Sequence, residues 1–169
     1  MHMTLAKEPS APASEIGIRQ FQAGDAAPFR RLNEEWIARY FRIEAKEELV
    51  LADPQRAILD PGGRIFFATA GERCVGCCGL IRLNEKEFEV AKMAVEPSYQ
   101  GAGIGRRLLQ AVIDEARNAD AQRLYLETNH ALTPAIRLYE SLGFKHIDPD
   151  RIIPSAYARA DVYMELILV

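Results

Sequence analysis

The stretch "SYQGAGIGRR", residues 98–107, sets Gly101, Gly103 and Gly105 at alternate positions and follows them with Arg106 and Arg107. Glycine at that density costs chain entropy, so the backbone there must turn tightly or let something approach closely. A dinucleotide fingerprint requires glycine at the first, third and sixth positions. Counted from Gly101, the sixth position is Arg106, and no Gly-Lys-Ser/Thr closes a P-loop either. What fits is a glycine turn between a strand and a helix N-terminus, whose free N–H groups and dipole form a cradle for phosphate or pyrophosphate. The arginines add charge that pairs with phosphate. A glycine-rich turn with no ligand is the plain alternative.

The other reactive cluster is "CVGCCG", which holds all three cysteines, Cys74, Cys77 and Cys78. An odd, bunched set makes a poor disulfide framework and points to a reducing cytoplasm. Zinc would want a fourth ligand at a characteristic spacing, whereas His2, His130 and His146 are scattered. Small side chains inside a strand are the better account, and no metal is expected.

These groups need elements to position them. Alternation predicts a strand over 16–21, then a helix with Asp25 as N-cap, Pro28 in its first turn and Phe29, Leu32, Trp36, Ile37 and Tyr40 along one face. A second helix lies within 42–59 and is interrupted at Pro54, which lacks a backbone donor. "RIFFATA", "CVGCCGLIRL" and "EFEVAKMAV" read as three strands joined by hairpins. The glycine segment then opens a helix with Ile104, Leu108, Leu109, Val112, Ile113 and Ala116 on its apolar side. "RLYLET" is a further strand, and Thr133-Pro134 starts "PAIRLYESL", which Gly143 stops with Phe144 packing back. Short strands at "FKHI" and "DVYMELILV" close the chain, an α+β order.

At 169 residues, 49% hydrophobic, the chain suits one domain with a real core, here 16–169. Residues 1–15 read as a disordered leader without a secretory h-region. A net charge of −3 argues against nucleic acid as a partner, and no apolar run is long enough for a membrane span. A homodimer is left open.

"EVAKMAVEPSYQGAGIGRRLL" resembles the acyl-CoA-binding signature of the GNAT superfamily of N-acyltransferases, with Gln100, Gly103 and Gly105 in its core motif. "PAIRLYESLGF" is similar to their second signature, a helix carrying a tyrosine, here Tyr139, and "RADVYMEL" to their last strand. The resemblance implies a mixed, mostly antiparallel sheet splayed between strands 4 and 5, with about four flanking helices. It also implies transfer of an acetyl group from acetyl-CoA directly to a primary amine, on a small molecule or a peptide.

The family pattern then assigns roles. Met93, Ala94 and Val95 would pair with the pantetheine arm, and Gln100, Gly101, Ala102, Gly103, Ile104, Gly105 and Arg106 would hold the pyrophosphate. Many members carry Asn where this chain has Leu132, so Asn129 is the substitute contact to the arm. Glu89 occupies the position of the catalytic glutamate of histone-acetylating members, and strict alternation from Val95 through Met93 and Ala91 puts it on the same sheet face. It is the candidate base, directly or through water, against an ammonium anchor or a solvated carboxylate. Tyr139 is the candidate acid, against a core ring with a satisfied hydroxyl. By analogy Trp36, Tyr40 and Phe41 line the acceptor site, against a buried aromatic stripe. A non-catalytic acyl-CoA sensor on the same scaffold is the competing class.

Overall fold

A computed structural model describes residues 15–169, so the leader reading lies, but for Glu15, outside the described residues. Seven strands, β1 (Ile16–Gln20), β2 (Arg64–Ala70), β3 (Arg73–Arg82), β4 (Glu87–Val95), β5 (Arg123–Thr128), β6 (Lys145–His146) and β7 (Val162–Ile167), form one sheet in the order β1-β2-β3-β4-β5-β7-β6. Four helices accompany them: α1 (Ala26–Tyr40), α2 (Ala45–Ala52), α3 (Ile104–Asn118) and α4 (Thr133–Ser141). All strand neighbours are antiparallel except β4 and β5, which the α3 crossover makes parallel. Among the described residues no helix is long and apolar enough to cross a membrane.

Each sheet face is covered by its own apolar cluster. On one, Leu108, Leu109, Val112 and Ala116 of α3 pack on Val75, Phe88, Val90 and Leu124. On the other, Phe29, Leu32 and Ile37 of α1 pack with Leu51, Ile65, Phe67 and Cys77. Full burial of such a side chain contributes about 1.5–3 kcal/mol, and this anchors both layers around the sheet. Helix α2 ends at Ala52, and after Pro54 the chain makes one wide turn, Gln55–Leu59, as the missing proline donor foretold.

Of the two expected caps, Asp25 stands at the N-cap of α1, and Thr133 is corrected to the first residue inside α4. Asp25 makes no side-chain cap bond to α1; its carboxylate instead takes the Arg19 guanidinium at 2.6 Å and the Gln22 N–H at 2.7 Å. Thr133 is the first residue of α4 with Leu132 before it, and no side chain caps that end. The C-terminal stop holds: Phe144 N–H donates to Tyr139 O at 3.1 Å, and the two rings lie 6.0 Å apart. The "FKHI" strand contracts to its two middle residues.

The sheet is split where the resemblance implied. β4 and β5 are in register only at Glu87, Phe88 and Glu89 opposite Arg123, Leu124 and Tyr125, and beyond these the strands part. β4 also carries a bulge. Cys77 pairs with Ala94 and Gly79 with Ala91, so β4 uses one residue more than β3, and Lys92 takes the surplus at φ 57°. Phe88 and Val90 before the bulge share the α3 side with Met93 and Val95 after it, whereas Ala94 joins the α1 side. The strict alternation expected from Val95 back to Glu89 is therefore broken. Glu89 lies on the face opposite the Val95 side chain, towards α1 and α2, because one extra residue inverts the parity of the strand.

Candidate active site

The split divides into three connected spaces. The first is a groove of about 510 Å³ between the end of β4, the start of α3 and α4. Gly101 and Gly103 there have φ of +83° and +77°, and a Cβ built on either meets nothing of the protein within 4 Å. The first intrahelical bond of α3 is Arg107 N–H to Gly103 O, and the N–H groups of 101–106 find no acceptor among the described residues. These open donors at a helix N-terminus fit a pyrophosphate. Arg106 extends along the same groove with its guanidinium 2.6 Å from Ser141 Oγ. The Val95 carbonyl, at the strand edge facing the split, accepts from Gln100 Nε2 at 3.2 Å. Met93, Ala94, Val95, Gln100, Gly101, Gly103, Ile104, Gly105 and Arg106 all line this groove. Ala102 does not. Asn129 lies further in, with Nδ2 on Arg159 O at 2.8 Å and Oδ1 accepting from Ala131 N–H at 2.9 Å, so its amide ties loops together.

The second space is a chamber of about 150 Å³, which shares Trp36, Met93, Leu132 and Ala135 with the groove. Glu89 and Tyr139 both line it. Tyr139 is 8% exposed, and its hydroxyl has no hydrogen-bond partner among the described residues. Burial raises its pKa above the ordinary tyrosine value and keeps the proton on oxygen. The Glu89 carboxylate likewise has neither hydrogen bond nor ion pair among the described residues. Burial, then the charge of Glu127, pushes it up to about 7. A carboxyl half ionised at neutral pH can take up a proton and release it again.

The third space is a groove of about 550 Å³ on the far side, which shares Glu89, Ala91, Lys92, Glu127 and Tyr157 with the chamber. Apart from Glu89, its residues were not legible from spacing. Lys92, lifted by the bulge, sets Nζ 3.3 Å from Tyr157 Oη and 3.5 Å from Glu47 Oε1, and burial lowers it to about 8. Fully buried Glu47 is clasped by Arg159, whose guanidinium lies 5.4 Å over Phe41 and 5.0 Å over Tyr157. That network straps the loop before β7 across α2. The aromatic candidates separate: Phe41 lines the chamber, Trp36 stands between chamber and cofactor-side groove, and Tyr40, 46% exposed, faces that groove alone.

The three cysteines are buried and unpaired, and Cys77 is raised to about 12 by burial. A thiol held so high is a poor nucleophile.

The structure thus joins a split sheet, a glycine-opened helix at one side of the split and a chamber within it lined by both Glu89 and Tyr139. The family model for the acetyltransferase (GNAT) family matches residues 29–144, and the chain belongs to that family. It is 38% identical over 95 residues to the N-alpha-acetyltransferase RimI of Mycobacterium tuberculosis, covering 54% of this chain and 58% of that one. It is 30% identical over 146 residues to the uncharacterized N-acetyltransferase YjgM of Escherichia coli, covering 82% and 86%. Among solved structures, yncA of Salmonella typhimurium, a putative acetyltransferase with its cofactor acetyl-CoA, superposes with a TM-score of 0.71 at 20% identity over 92% of this chain and 95% of that one. Acetyl transfer is thus the general activity, and the fold is that of the family.

Proposed function

We propose that this chain transfers an acetyl group from acetyl-CoA to a primary amine by direct attack, with Glu89 as base and Tyr139 as acid. One observation carries the reading: a carboxyl and a phenol, both desolvated and without partners among the described residues, line one chamber that adjoins two grooves. Two routes into one chamber suit two substrates bound together. Acetyl-CoA supplies the thioester carbonyl and a thiolate leaving group, and it is the structure's glycine turn, Val95 edge and Arg106 that suit its arm and pyrophosphate.

The chain's own residues manage the protons. A protonated alkyl amine has no lone pair to attack with, and near a pKa of about 10.4 only on the order of one in a thousand is neutral at pH 7. Glu89 takes that proton, directly or through one water, and later gives it up to solvent. The neutral amine forms the new N–C bond as the C–S bond breaks, and the second proton its nitrogen then sheds restores, through water, the one that Tyr139 gives up. Tyr139 hands its proton to the departing sulfur, and the raised pKa ensures that the proton is there to give. Trp36 and Phe41 shield the chamber from bulk water. Thiol release from acetyl-CoA over a panel of amines tests the reading. Amine-dependent release in the parent and a loss of about 10²–10⁴ in kcat for Glu89→Gln are expected. Binding of acetyl-CoA with no turnover on any amine refutes it.

A further inference from the structure

We propose that Glu127 is the acceptor-binding residue of this site, and that its groove selects a primary ammonium carried on an apolar body without an adjacent carboxylate. The proposal rests on the transferase reading above. Glu89 and Glu127 are the two carboxylates that line both the chamber and the far groove, across the split from each other on β4 and β5. The neighbouring carboxylates are matched by cations: Glu47 by Arg159 and Lys92, Glu87 by Arg123, Glu165 by Arg123 and Arg151. Glu89 and Glu127 have no cation within ion-pair distance among the described residues. Glu127 is instead fixed by two neutral donors, Tyr125 Oη at 2.9 Å on one oxygen and Ser155 Oγ on the other. Two hydroxyls aim a carboxylate without neutralising it. A half-buried carboxylate held this way presents its charge to the groove, and an incoming ammonium is the cation that matches it.

The groups that face this pair come from every adjoining element. They are Lys46 from α2, Lys92 from β4, Tyr125 from β5 and Tyr157 from the loop before β7. Lys92 is turned onto Glu47 and Tyr157, and exposed Lys46 lies 5.0 Å over the Tyr157 ring. Beyond them the groove is walled by Val50, Ile81, Leu83, Ile152 and Ile153, and Leu83 and Ile153 are 46% and 82% exposed. Both arginines along this wall are spent on Glu87 and Glu165, so they do not offer a carboxylate pocket. An α-amino acid would carry its carboxylate one carbon from the amine, beside Glu89 and Glu127, where like charges repel. An amine on an apolar body meets a matching surface at both ends.

Phenethylamine and phenylalanine share one body and differ by that carboxylate. In the parent, kcat/KM from thiol release is expected to favour phenethylamine by about tenfold or more, the order of one desolvated charge contact. In Glu127→Gln, checked for folding by its melt, the KM for phenethylamine should rise about tenfold while that for acetyl-CoA stays put. The acid limb of the kcat/KM profile should also move to lower pH, because Glu89 loses a like-charged neighbour, but it is the rise in KM for phenethylamine alone that a merely structural Glu127 would not give. Phenylalanine matching phenethylamine in the parent overturns the proposal even where the variant does not fold. An unmoved KM for phenethylamine in folded Glu127→Gln overturns it too, whatever the limb does. Transfer to a peptide N-terminus with neither amine accepted sinks this proposal and keeps the transferase reading. No release with any amine sinks both.

Discussion

Glutamine in place of Glu89 should make the protein more stable in neutral and alkaline solution while removing its turnover. Burial and the Glu127 charge hold the Glu89 carboxyl at about 7, against an ordinary value of 4.5. At 1.36 kcal/mol per pKa unit, that gap is about 3 kcal/mol of folding free energy lost once the group is ionised in the native state. The folded chain binds this proton more tightly than the unfolded chain does. Its contribution is therefore complete below pH 4.5 and lost as the pH rises through 7. Glutamine has no proton to lose and escapes the penalty. Part of the gain is returned, because Lys92, itself buried, loses the Glu89 charge that favours its protonated form. A net gain of about 1–2 kcal/mol at pH 8, shrinking towards zero near pH 4.5, is expected. Urea unfolding of both proteins from pH 5 to pH 8, with m unchanged, measures it. A difference that stays constant with pH, or a variant less stable than the parent at pH 8, would refute the reasoning that Glu89 is desolvated and unpaired.

Tyr139→Phe keeps the buried ring and removes the proton donor, so turnover should fall by about 10²–10³ without loss of the melt. A thioester with a less basic leaving thiol should recover part of that loss, and equal slowing with both thioesters would leave Tyr139 a positioning group. Gly103→Val puts a branched side chain at φ +77° into open groove, and calorimetry should show acetyl-CoA binding weakened at least tenfold. Gly24→Ala, also at positive φ with nothing near its Cβ, is the control for backbone strain and should bind normally. A combined Cys74, Cys77 and Cys78 to Ala variant that folds should keep most of its turnover, and trapping an acyl-cysteine that decays at the turnover rate would contradict this.

The elements were legible because period and punctuation agree locally. The α3 stripe, the hairpin strands and the Gly143 stop each rest on neighbouring residues, and each is found in place. The glycine turn was legible for the same reason: its open donors are consecutive backbone groups. Asp25 holds the N-cap position of α1 as expected, but its carboxylate turns to nearby Arg19 and Gln22 rather than to the helix, and Thr133 falls one residue inside α4, where no side chain caps the end. The far groove, which we propose takes the acceptor, left no such local trace. Lys92, Glu127, Tyr157 and Arg159 meet only after β4, β5 and the loop before β7 converge on α2, and no spacing in the chain records that. The bulge at Lys92 defeated a periodic argument outright, since a strand read by twos carries no mark of the place where it counts three.

The narrow junction between β4 and β5 has a mechanical consequence. Seven strands are continuous through only three residue pairs at that point, so the sheet behaves as a four-stranded plate and a three-stranded plate joined along a short hinge. Flexing there changes the width of the gap between plates without breaking any other strand pair. A ligand arm that docks along the exposed edge of β4 wedges the gap at a fixed width and acts as a strut. Amides of β4 beyond Glu89 and of β5 beyond Tyr125 would then exchange with solvent more slowly when the strut is in place, while those of β1 and β2 keep their rates. On that reading the short seam would make the rigidity of the whole sheet depend on the bound arm.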